Sequence, residues 1–102
     1  MILTRGKIKE EMQKGGIVIN PVPADDQIGP GSVDLHLGNI FRKFRSSKET
    51  VFDVTDDVDA ASLTEEVMVN DGDSILIMPD ETVLGVTRER VTLAPYLAAW
   101  IE

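Results

Sequence analysis

The feature that most constrains this chain is a change of hydrophobic period at Gly15-Gly16. Before it, Ile8 and Met12 fall four apart on one helical face, and Thr4 stands where an N-cap hydroxyl belongs. This predicts a short helix near residues 4–14, stopped by the two glycines, with a narrow apolar stripe laid on a sheet. After it, apolar residues recur at every second position, in short runs cut by Gly, Pro, Asn and Asp. Strands are expected near 17–19, 32–37, 40–44, 50–54, 66–69, 74–78 and 82–92. One small helix and several closely spaced strands point to a mostly-β barrel or sandwich. At 102 residues the chain is read as a single domain, 1–102.

Individual runs carry sharper expectations. Ile17-Val18-Ile19 ends at Asn20-Pro21-Val22-Pro23, where two prolines remove amide donors and force an extended or turning path. In Ser32-Val33-Asp34-Leu35-His36-Leu37, the apolar residues share one face while Asp34 and His36 share the other. Ser74-Ile75-Leu76-Ile77-Met78 reads as a strand buried on both sides. Residues 82–93 read as one long strand, or two joined at Gly85. Residues 55–62 are acidic and small, and read as an exposed loop.

Composition excludes several chemistries. Without cysteine the chain has no disulfides, no thiol nucleophile and no cysteine-ligated zinc. The net charge of −8 is uneven: residues 1–52 carry eight Lys/Arg against six Asp/Glu, residues 53–102 two against twelve. Such a chain repels a phosphate backbone, so a nucleic-acid partner is not expected, whereas a small anion needs only a local basic pocket. Arg42, Lys43, Arg45 and Lys48 form one basic cluster, read as a solvated strand end and turn. No apolar run reaches the ~20 residues that span a bilayer. Met1-Ile2-Leu3-Thr4 leads directly into charge, so neither a membrane partner nor a leader is expected, and the expected location is cytoplasmic.

Site chemistry is sparse. The single His36 cannot build a multi-histidine metal centre and reads as a half-exposed strand residue. Asp56, Asp57 and Asp59 lack the glycine and terminal glutamate of a calcium loop and read as solvated surface, so no metal ligands are expected. Gly29-Pro30-Gly31 is too short to cradle a phosphate. Glu89 and Glu102 are lone carboxylates, read as surface.

Residues 29–39, containing Ser32-Val33-Asp34-Leu35-His36-Leu37-Gly38, resemble the first motif of the dCTP deaminase branch of the trimeric dUTPase superfamily, written Ser-x-Asp-Leu-x-Leu-Gly. Three further stretches agree in order. They are Met1-Ile2-Leu3-Thr4 with Ile17-Val18-Ile19-Asn20-Pro21 after the helix, residues 77–89, and residues 91–102. Gly31 stands where a serine is common, and Asp80 replaces the usual turn glycine. The resemblance implies a dUTPase-like β-clip or distorted barrel with a short N-terminal helix, incomplete at the C-terminus. It implies a hydrolase of deoxynucleotide metabolism and dUTP biosynthesis, turning dCTP and water into dUTP and ammonia, with some members also acting as dUTPases. The base chemistry needs no metal there, and Mg²⁺ comes with the triphosphate.

In that family a Gly-Arg-Ser-Ser-Leu-type phosphate motif and the catalytic glutamate follow the position of Glu102. The resemblance therefore implies no catalytic residue among these 102, no assignable substrate-binding residue, and structural motif roles for Ser32, Asp34 and Gly38. The chain is expected to be a truncated part that is inactive alone, binding deoxynucleotide only if the site is completed. The alternative is a non-catalytic module that assembles with a complete partner. Self-association is expected, a trimer before a dimer, from the family and from the nearly uncharged run Leu97-Ala98-Ala99-Trp100-Ile101; the competing reading folds that run back over the chain's own core.

Overall fold

The computed structural model describes residues 1–44 and 63–102. The chain divides into two compact units, Met1–His36 with Thr87–Glu102, and Leu37–Val86.

The first unit opens with helix α1 (Arg5–Lys14). Thr4 caps it in an extended conformation, its hydroxyl accepting the Lys7 N–H at 3.4 Å. Gly15 ends it at φ 84°, a left-handed conformation that a Cβ would strain, and the Gly15 N–H returns to the Glu11 carbonyl. Strand β1 (Ile17–Asn20) pairs antiparallel with β5 (Arg90–Leu93), setting Ile17 opposite Leu93 and Ile19 opposite Val91. Ile17 and Ile19 point into the core while Val18 faces out, the alternation a half-buried strand requires. Ile8, Ile17, Ile19 and Ile28 form the core, with Leu3, Met12, Val33, Leu35, Leu93 and Leu97 packed around them. Each such isoleucine contributes about 1.5–3 kcal/mol by burial. The Asn20–Pro21 bond is cis. Beyond it lies a short 3₁₀ turn, Asp25–Gln27, and both Arg5 and Lys9 reach the Asp25 carboxylate to tie α1 to that turn.

The second unit holds a three-stranded sheet of β2 (Leu37–Phe44), β3 (Thr64–Met68) and β4 (Val83–Thr87), in the order β3-β2-β4. Ile40 lies opposite Met68 and Arg42 opposite Glu66. Phe41 is buried on one face, where its ring fills the space beside Gly85. The other face carries Ile40, Phe44, Met68, Leu84 and Val86, all exposed. Before β4, Asp80 adopts φ 64° in a turn closed by the Glu81 N–H on the Met78 carbonyl at 3.1 Å. This is the backbone conformation a glycine takes freely, and aspartate is among the few other residues that tolerate it.

Among the described residues, one short helix and two antiparallel sheets make a mostly-β chain of dUTPase-like character, with no closed barrel. Three expectations need correction. Residues 32–37 do not form a strand: a single bridge joins Ile28 to Val33, and regular pairing starts only at Leu37. Val33 and Leu35 do turn toward the core, but Leu37 is 66% exposed. The physical reason is that the backbone groups of this segment are taken up singly, by the Gln27 and Glu89 side chains and by isolated bonds to the Gln27 carbonyl and the Arg88 N–H, rather than by a ladder. Residues 74–78 are not a buried strand either; Leu76 is 71% exposed and no ladder among the described residues includes them. An apolar run marks capacity for burial, and among the described residues no partner strand supplies it. The stretch 82–92 is broken at Arg88-Glu89, not at Gly85, which lies inside β4. The strand expected near 50–54 and the loop expected over 55–62 lie outside the described residues.

Candidate functional site

The densest polar node of the first unit gathers around Glu89, in the turn between β4 and β5. Expected on the surface, its side chain is only 3% exposed. Its carboxylate accepts the backbone N–H of His36 at 2.9 and 3.2 Å, lies 3.0 Å from His36 Nδ1, and accepts the Gln27 amide at 3.4 Å. The bond from the His36 N–H holds the Glu89 carboxyl below the ordinary carboxylate range; burial pushes the other way, and the His36 ring adds to the lowering. Two further bonds fix the turn itself. The Arg88 N–H donates to the His36 carbonyl at 2.9 Å, and the Thr87 hydroxyl donates to the Glu89 carbonyl at 2.7 Å.

Gln27 grips the other end of the same segment. Its carbonyl accepts the Asp34 N–H at 2.7 Å, and its Nε2 donates to the Asp34 carbonyl at 3.0 Å. Its Oε1 accepts the Ala24 N–H at 2.8 Å, locking the side chain across the 3₁₀ turn. Residues 34–36, which look like a strand by alternation, are thus held between an amide and a carboxylate.

The three motif residues sit as follows. The Ser32 carbonyl accepts the Gly29 N–H at 2.8 Å, closing a tight turn beneath the Ile28–Val33 bridge, and the Pro30 carbonyl in that turn accepts the Arg5 N–H at the start of α1. Asp34 is engaged through its backbone; its carboxylate is exposed and makes no hydrogen bond among the described residues. Gly38, in the second unit, lies where a Cβ would sit 2.8 Å from the Val86 carbonyl oxygen, so strand approach requires glycine there. His36 is half-exposed as expected, but it is not a strand residue. Glu102 is exposed and accepts the Trp100 indole N–H at 3.1 Å.

The two described members of the basic cluster, Arg42 and Lys43, do not converge. Arg42 donates to the Thr64 hydroxyl at 3.2 Å, while Lys43, adjacent on β2 and so on the opposite face, donates to the Leu76 carbonyl and pairs with Glu81 at 3.2 Å. Arg45, Lys48, Asp56, Asp57 and Asp59 lie outside the described residues. Among the described residues no group of three His, Cys, Asp or Glu could hold a metal ion, and no helix is long and apolar enough to cross a membrane.

The arrangement supplies orientation: a buried carboxylate orders a backbone segment and one imidazole. Sequence reasoning missed Gln27 and misplaced Glu89. The available signal was the charged triplet Arg88-Glu89-Arg90 set between two β-type runs, which marks a turn rather than a continuous strand.

A family model described as dCTP deaminase-like matches residues 2–102. A dUMP-forming dCTP deaminase of Methanobrevibacter smithii is 37% identical over 99% of this chain, which covers 52% of that protein. A dCTP deaminase of Marinomonas sp. is 39% identical over 93% of the chain, again covering 52% of the relative. One from Pseudoalteromonas translucida is 32% identical over the whole chain and 56% of its own length. The chain therefore spans about half the length of the curated relatives it matches. From residue 2 to residue 102 its sequence follows one family pattern, and the chain belongs to the dCTP deaminase-like family.

Proposed function

We propose that these residues work as the N-terminal half of a dCTP deaminase, a hydrolase converting dCTP and water to dUTP and ammonia. The observation that supports this is 37–39% identity, across nearly all of the chain, to proteins named dCTP deaminase and about twice as long. In this reading the chain supplies scaffold. Gln27 and Glu89 set the first-motif segment, and Ser32, Asp34 and Gly38 have structural roles in it. The other half supplies the water-activating carboxylate and the phosphate clamp, the two elements on which such hydrolysis depends. Alone, these 102 residues do not turn over dCTP. Mg²⁺ enters as part of the substrate, on the triphosphate.

The working form is a cytoplasmic homo-oligomer, a trimer before a dimer, needing neither nucleic acid nor membrane. Two observations favour assembly: the exposed apolar face of the second unit's sheet, and the terminal run. Leu97 packs on the core of the first unit, whereas Trp100 and Ile101 stay exposed, which disfavours the folded-back tail. The same exposed surface favours the second reading, a non-catalytic module that docks on a complete partner.

The test compares two proteins with dCTP and Mg²⁺: this chain alone, and this chain fused to the second half of the Marinomonas relative. Ammonia and dUTP should form with the fusion only, and light scattering should give the mass of a trimer. A folded fusion that releases no ammonia overturns the deaminase reading. Ammonia release that scales with the short chain alone overturns its inactivity. Stable binding of the short chain to an intact deaminase, without added activity, favours the docking module.

A further inference from the structure

We propose that His36 is a nucleophilic modification site, its imidazole oriented by Glu89 so that Nε2 takes an acyl group from an activated carbonyl donor. This inference does not depend on the deaminase reading. It rests on the geometry of the first unit alone. The Glu89 carboxylate is buried and already committed, accepting the His36 backbone N–H at 2.9 Å and the Gln27 amide at 3.4 Å. An ionised carboxylate can only accept, so the contact of 3.0 Å to His36 Nδ1 requires the proton to reside on Nδ1. That fixes the neutral ring in its Nδ1–H tautomer and places the free lone pair on Nε2.

The contact to Glu89 holds the ring, and the backbone that carries it is fixed as well. The His36 N–H is held by Glu89 and its carbonyl by the Arg88 N–H, so the backbone on both sides of the side chain is pinned. The side chain is nevertheless 57% exposed, and no group among the described residues hydrogen-bonds Nε2. A buried carboxylate behind an imidazole with an open outer nitrogen is the general arrangement for an oriented base or nucleophile. In the acylation step the Nε2 lone pair adds to the donor's carbonyl carbon and the bond to the leaving oxygen breaks. The Nδ1 proton then passes to the Glu89 carboxylate and on to solvent, leaving a neutral N-acylimidazole. No oxidant, metal or further reactant is needed.

The protein carries a single histidine, so both measurements read His36 without separation from others. Nitrogen-15 NMR of the intact chain at about pH 8.5, where imidazoles are neutral, should show the Nδ1–H tautomer dominant. Labelling with diethyl pyrocarbonate, followed by peptide mass spectrometry and NMR, should place the ethoxycarbonyl group on Nε2. The rate should fall about tenfold in Glu89→Gln, which loses a charge-assisted hydrogen bond, and recover in part in Glu89→Asp. A dominant Nε2–H tautomer, labelling on Nδ1, or equal rates in wild type and a folded Glu89→Gln each overturn the proposal. If Glu89→Gln does not fold, the tautomer and the labelled nitrogen in the wild-type chain still decide it.

Discussion

Gly38→Ala is the substitution whose cost the structure defines best. The added methyl carbon would stand 2.8 Å from the Val86 carbonyl oxygen and 3.3 Å from a Val86 side-chain carbon. Ordinary contact begins near 3.4 Å, so the neighbouring backbone must retreat by roughly half an ångström within a sheet. Overpacking of this kind costs about 1–3 kcal/mol, and the lower entropy of an unfolded alanine chain offsets about 0.4–1 kcal/mol of that. The expected net loss is therefore about 1–2 kcal/mol, or a melting temperature lower by about 5–10 °C for a domain of this size. Gly6→Ala is the internal control. It lies in the first turn of α1 with nothing within 4 Å of the added carbon, so the same chemical change should stabilise by about 0.5 kcal/mol. Urea and thermal unfolding followed by far-ultraviolet circular dichroism measure both. If Gly38→Ala is as stable as wild type, or if both variants move in the same direction, the close approach of Val86 to Gly38 is not as described.

Two further outcomes are expected. Ile19→Ala should lose about 2–5 kcal/mol because Ile19 is buried in the core of the first unit, whereas the adjacent Val18→Ala, 48% exposed on the other face of β1, should lose under about 1 kcal/mol; similar urea midpoints for the two would contradict the burial pattern. Glu89 has a folded-state pKa below its ordinary value of 4.5, so its contribution is fully present above that value and is lost as pH falls through the lowered one; thermal melts of wild type from pH 7 to about pH 3 should drop more steeply than those of Glu89→Gln, and parallel curves would contradict it.

The sequence by itself determined the elements whose causes are local. Thr4 and Gly15 bound α1 through a hydroxyl cap and a left-handed turn, and both act within four residues of the groups they satisfy. The isoleucines of β1 alternate because the strand itself sets the period. Asp80, at the turn where the family resemblance implies a glycine, does adopt the conformation that a glycine would. The family, too, was legible, because its motifs are ordered short strings. Only the tertiary structure decided what depends on a distant partner. Alternation at Val33 and Leu35 reports a core-facing side, but a ladder needs a second strand, and here Gln27 and Glu89 satisfy the backbone instead. The apolar run 74–78 finds no strand to pair with among the described residues and stays largely exposed, although its composition is that of a buried strand. Glu89 itself shows the limit most plainly. A carboxylate is expected in water unless donors converge on it, and its donors come from residues 53 and 62 positions away. Local pattern fixes backbone shape over a few bonds; the burial of a charge is set by groups that only folding brings together.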